Sequence, residues 1–103
     1  MNKRLAFLEQ LVASGKADSF ARYGLSMEYK KEGRVDDSLA AFAELRRNDP
    51  GYVPQYLMAG QLLGTAGRTE EAREWLEAGL AAARSKGDHH ALSELQSALA
   101  ELS

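Results

Sequence analysis

Gly33-Arg34-Val35-Asp36-Asp37-Ser38-Leu39-Ala40-Ala41-Phe42 returns further along the chain as Gly67-Arg68-Thr69-Glu70-Glu71-Ala72-Arg73-Glu74-Trp75-Leu76, 34 positions on. Each copy is a glycine, an arginine, an acidic pair and then an apolar run. Self-similarity at this period marks a helix-turn-helix unit that buries its apolar side only by stacking on further copies. The glycines are the hairpin turns, and each acidic pair falls in the first turn of the helix that follows, facing the positive end of its dipole.

Upstream of Gly33, the spacing predicts a helix capped by Asp18 or Ser19 and running to about Lys31. Ala21, Leu25 and Tyr29 recur every four residues, and Phe20, Tyr23 and Met27 form a second apolar stripe rotated around the axis. Two apolar faces require two neighbours, or one neighbour and a ligand. Downstream, a helix beginning near Asp36 buries Leu39, Phe42, Ala43 and Leu45, carries Arg46-Arg47 in its last turn and stops at Asp49-Pro50-Gly51.

The second copy repeats this plan from Val53 to about Lys86. Pro54 opens its first helix, Tyr56, Ala59, Gly60 and Leu63 face the partner helix, and Thr69 is the expected cap of the helix carrying Trp75, Leu76, Gly79 and Leu80. Trp75 is expected to pack against the closing helix. Flanking helices complete the chain. One, over 3–15, has a stripe of Leu5, Leu8, Leu11 and Val12; the other, over 88–103 and capped by Asp88, has Leu92, Leu95, Ala98, Leu99 and Leu102. No alternating β-branched run argues for a strand.

The reading is one all-α domain of about six helices, with an N-terminal helix at 3–15, repeats at 19–52 and 53–86 and a capping helix at 88–103. A chain of 103 residues can hide roughly two-thirds of its extended surface. A net charge of −2 gives no general pull toward phosphate backbones or anionic lipid, so neither nucleic acid nor membrane is an expected partner. Cysteine is absent, which excludes disulfides and thiolate metal sites and fits a reducing, cytoplasmic setting. The basic start Met1-Asn2-Lys3-Arg4 is followed by an apolar run broken at Glu9-Gln10, which reads as a mature helix rather than a signal peptide.

These residues resemble the tetratricopeptide repeat (TPR) family, with Leu25, Ser26, Tyr29, Ser38, Phe42, Leu45 and Pro50 at the signature positions of the first copy. In the second copy those positions hold Tyr56, Ala59, Gly60, Leu63, Ala72, Leu76 and Gly79. Arg22 departs from a usual large apolar residue, Ser26 and Ser38 from small Gly and Ala, and Arg84 from the terminal proline. The resemblance implies a right-handed α-solenoid of antiparallel hairpins that serves as a non-catalytic scaffold for other proteins.

It also implies a concave groove lined by the first helix of each hairpin. Carried over residue by residue, that groove takes Phe20, Tyr23, Met27, Lys30 and Lys31 from the first copy, and Pro54, Leu57, Gln61 and Thr65 from the second. Aromatic anchors, a compliant methionine and a basic end suit a peptide with apolar and acidic side chains. The competing reading packs Phe20, Tyr23 and Met27 against a flanking helix and leaves the lysines solvated. Some family members clamp C-terminal carboxylates, but Tyr23, Met27 and Gln61 stand where that clamp needs Lys, Asn and Asn, so that specificity is not carried over.

His90 and Glu94 lie one helical turn apart, too few ligands for a metal site, and no nucleophile or acid-base constellation stands out. The functional expectation is an adaptor holding a protein or peptide partner, without cofactor, metal or catalytic residues. The alternative is a homo-oligomerising module that pairs as a homodimer.

Overall fold

The computed structural model describes residues 1–102, so the final residue of the expected cap lies outside the described residues. The order is α1 (Lys3–Ala13), α2 (Ser19–Lys31), α3 (Val35–Asn48), α4 (Pro54–Thr65), α5 (Thr69–Lys86) and α6 (His89–Glu101), with no strand among the described residues. Two compact units divide the chain, the first covering Met1–Asp49 and the second beginning at Pro50. The boundary falls in the Asp49-Pro50-Gly51 turn. α1 ends two residues before its expected limit, because Ser14 already serves as its C-cap.

Both repeat turns are built alike. Gly33 and Gly67 have φ of 75° and 79°, a left-handed conformation that residues with a Cβ adopt at a cost. The amide of Arg34 then reaches back to the carbonyl of Tyr29 at 2.9 Å, and that of Arg68 to Leu63 at 2.9 Å, closing the helix end in a Schellman pattern. Each arginine is also the N-cap of the next helix, without a side-chain cap bond. Thr69 is therefore the first residue of α5 and not its cap. The guanidinium groups instead bind the acid three residues on, Arg34 to Asp37 at 2.9 Å and Arg68 to Glu71 through two contacts of 2.8 and 2.7 Å. At α2 and α6 the side chains of Asp18 and Asp88 do cap, accepting from the amides of Ala21 and Ala91.

In the first unit, α3 lies close against α2 because both helices place a small residue at their crossing. Ser26 and Ser38 are fully buried, and the Ser38 hydroxyl donates to the Ser26 carbonyl at 2.7 Å. Phe42 and Leu45 are likewise completely enclosed. α1 covers the other side of α2, where Leu5, Leu8 and Leu25 form a small core edged by Val12, Ala21, Tyr29 and Ala41. The Ala21, Leu25, Tyr29 stripe is thus spent on α1.

Polar groups fix the position of α1. Asn2 caps α1 through its side-chain oxygen while its amide donates to Glu28 at 2.9 Å, and Arg4 reaches the same carboxylate at 3.2 Å. The Asn2 hydrogen bond, opposed by desolvation and aided by Lys31 and Arg4, holds Glu28 below the ordinary carboxylate value. Its contribution is complete above that ordinary value and fades as pH falls beneath it.

At the other end Tyr29 donates to Glu9 at 2.5 Å, and the Arg34 guanidinium lies 4.7 Å over its ring. Burial first, and then the bond to Glu9, push the Tyr29 phenol from 10.0 up to about 12. A raised folded-state value means that the stabilisation is intact below pH 10 and is lost between 10 and about 12. Urea midpoints should therefore fall less steeply across that window in Tyr29→Phe than in the parent chain. The other three of the four tyrosines are common to both proteins. Equal slopes would mean that Tyr29 ionises as it does in the unfolded chain.

The second unit has a core of Val53, Tyr56, Leu76, Ala83, Leu95 and Ala98, with Leu57, Trp75, Leu80, Leu92, Leu99 and Leu102 packed around it. Trp75 tilts its ring against Tyr56 of α4 at a centroid distance of 5.8 Å. α6 closes this core with Leu95 and Ala98, and turns Ser93, Glu94, Gln96, Ser97 and Glu101 outward.

Candidate functional site

With α1 on one side of α2 and α3 on another, part of the helix surface stays open. At about 100° per residue, Phe20, Met27 and Lys31 project within roughly 40° of one another. Phe20 is 69% exposed at the head of this strip, Met27 is half-buried, and Lys31 is exposed in the last turn. None of these side chains is among those packed in the small core of Leu5, Leu8 and Leu25.

Tyr23 borders the strip and leans toward α3. Its ring meets Phe42 edge-on, with centroids 6.3 Å apart and planes at 65°. Phe42 is fixed in the core, so Tyr23 is held in place, mostly covered, with the smaller part of its surface accessible and preorganised. Lys30 is exposed beside it. Beyond Lys31 an open depression of ≈ 510 Å³ is lined by Met1, Asn2, Lys3, Lys31 and Glu32. Lys3 thus adds to the basic end of the strip. Its place on α1 hid it from the sequence, because nothing there set the start of α1 beside the end of α2.

The α4 candidates lie in the second unit. Pro54, Gln61 and Thr65 are exposed, whereas Leu57 is half-buried and packs on the core around Tyr56.

Among the described residues no group of three or more His, Cys, Asp or Glu side chains is placed to hold a metal ion. His90 and Glu94 approach to 3.3 Å on the exposed side of α6, an ordinary i,i+4 pair. No described helix is long and apolar enough to cross a membrane.

No family model matches the chain. It is 30% identical over 88 residues to a TPR repeat-containing protein of Pseudomonas aeruginosa, a match spanning 85% of this chain and 84% of the relative. The chain belongs to the tetratricopeptide repeat family. Solved TPR structures agree: a crystal structure of a tetratricopeptide repeat domain protein from Salinibacter ruber has a TM-score of 0.78 at 37% identity, covering 84% of this chain and 96% of that one. A solution structure of a protein from Bordetella parapertussis reaches a TM-score of 0.82 at 31% identity, covering 99% of this chain and 89% of that one. TPR proteins are in general protein-interaction modules, and the open strip on α2 is where this one keeps its exposed aromatic side chain on a repeat helix.

Proposed function

We propose that this TPR protein is a non-catalytic adaptor that holds a peptide segment against the open strip of α2. The observation that carries the proposal is the Phe20 ring, largely exposed although its helix is packed on two sides. Met27, with a flexible thioether, adapts to neighbouring apolar side chains, and Tyr23 offers a rigid edge. Lys30, Lys31 and Lys3 at the far end favour an acidic residue in the bound segment, with solvent exposure keeping each charge modest in energy.

Panning a random peptide library against the protein should enrich segments that combine aromatic or aliphatic residues with Asp or Glu. Affinity of an enriched peptide should drop at least tenfold in Phe20→Ala with Met27→Ala, while the far-ultraviolet spectrum stays unchanged. Such a drop corresponds to about 1.4 kcal/mol, well within the range of an aromatic hot spot. Enriched peptides that bind the double variant as well as the parent would place recognition elsewhere.

A further inference from the structure

One carboxylate holds the start of α1 against α2. Glu28 is buried on α2 and both of its oxygens are engaged: Oε2 accepts from the side-chain amide of Asn2 at 2.9 Å, and Oε1 faces the Arg4 guanidinium at 3.2 Å. Lys3 stands between those two residues in the chain, so its backbone is gripped from both sides. Glu28 also lies one turn before Lys31 on α2, close enough for the lysine charge to favour the ionised carboxylate. The outcome of this clasp is the depression of ≈ 510 Å³ in which Lys3 and Lys31 share the lining with Met1, Asn2 and Glu32.

The two lysines are uncommitted. Arg4, Arg34, Arg47, Arg68 and Arg73 each sit within ion-pair distance of an acid of their own chain, whereas among the described residues neither Lys3 nor Lys31 does. Glu28 does not engage them, because Asn2 and Arg4 already take its oxygens. Within the lining, two ammonium groups therefore face one carboxylate, that of Glu32.

We propose, resting on the reading that a peptide lies along the open strip of α2, that Lys3 and Lys31 form the subsite for an acidic side chain of that peptide and that Glu28 is its positioning residue. Glu28 acts through Lys3, by fixing the first turn of α1. A lysine on a frayed helix end gives up backbone freedom when it meets a carboxylate, and a clasped end has already given it up. Exposed ion pairs contribute little each, so holding two cations at one place is what makes a preference for acid measurable.

An array of short peptides, acetylated and amidated so that side chains alone carry charge, tests this. Each peptide contains Phe or Leu with one Asp or Glu, and is spotted beside a copy in which the acid is Asn or Gln. The parent protein should bind the acidic members about fivefold better than their neutral copies, the scale of two exposed ion pairs. Lys3→Gln and Glu28→Ala should each reduce this ratio at least twofold. Asn2→Ser keeps a capping hydroxyl and the net charge but loses the reach to Glu28, and should move the ratio in the same direction. In a chain already carrying Lys3→Gln, Glu28→Ala should lower the ratio no further. The direction of the change is diagnostic. Loss of an acid near Lys31 would by charge alone raise the preference for acidic peptides, and a general loosening of the fold would weaken acidic and neutral copies alike. A ratio that stays level or rises in Glu28→Ala or Asn2→Ser, or that falls as far with Lys3 replaced as with Lys3 present, would overturn the inference. A parent chain that binds both copies equally would overturn it too, leaving peptide capture by Phe20 and Met27 standing; a parent chain that binds no member overturns both.

Discussion

Phe42→Ala is expected to cost about 3–5 kcal/mol of folding stability, the range for removing a fully enclosed phenyl group. Phe42 has no exposed surface, and neither has its neighbour one turn on, Leu45. Two effects add. The apolar surface of the ring is lost from the core, and the space left behind can close only if α2 and α3 approach, which the Ser38 to Ser26 hydrogen bond at 2.7 Å already limits. With total stabilities of single domains near 5–15 kcal/mol, such a loss consumes a large fraction of the whole. Urea unfolding followed by helical signal measures it, and a shift below about 1 kcal/mol would show that the site collapses freely. The same substitution reaches the proposed binding strip, because Tyr23 loses the ring it rests on. A double-mutant cycle of Tyr23→Ala and Phe42→Ala should return a coupling of about 0.5–1.5 kcal/mol, the usual worth of an edge-on aromatic pair. Peptide affinity should fall in Phe42→Ala even at temperatures where the chain is fully folded, since the anchor is then no longer preorganised.

The sequence spoke most clearly where a local rule and the repeat coincided. Gly33 and Gly67 follow from their period and from the need for positive φ, and Asp18 and Asp88 follow from capping chemistry, so the six helices emerge within a residue or two. Thr69 shows how a local rule fails when a stronger one competes. A threonine is a good cap, yet the turn geometry that begins with Gly67 hands the N-cap position to Arg68, as Gly33 does to Arg34. The Gly-Arg-x-x-acid pattern was visible in both copies and signals that arrangement.

The α2 stripes were legible too, but not which of them α1 would cover. That choice rests on Asn2, Arg4 and Glu9 meeting Glu28 and Tyr29, contacts between residues twenty or more positions apart that no periodicity announces.

Gly79→Ala should destabilise the second unit by about 2–3 kcal/mol, although the same change in an open helix gains nearly 1 kcal/mol from the better propensity of alanine. A Cβ at position 79 would lie 2.5 Å from the Cβ of Tyr56, 3.1 Å from its Cγ and 2.9 Å from a methyl of Leu95. The Tyr56 Cβ is fixed to the α4 backbone, so relief requires moving α4 away from α5, and with it the Tyr56 ring from Trp75. Gly60 gives the control. Its added Cβ would meet Leu76 Cδ2 at 2.5 Å and Cγ at 2.6 Å, atoms that a rotamer change can displace. Gly60→Ala is therefore expected to cost at least 1 kcal/mol less than Gly79→Ala by urea denaturation. The two also differ in how they are rescued. Leu76→Ala removes the whole obstacle at Gly60, so the Gly60→Ala, Leu76→Ala pair should be more stable than the sum of its parts. At Gly79 truncation of Leu95 to alanine leaves the Tyr56 Cβ in place and should rescue little. If Leu95→Ala restores Gly79→Ala fully, the close approach of α4 and α5 is softer than these distances imply, and the small residue at 79 serves α6 instead.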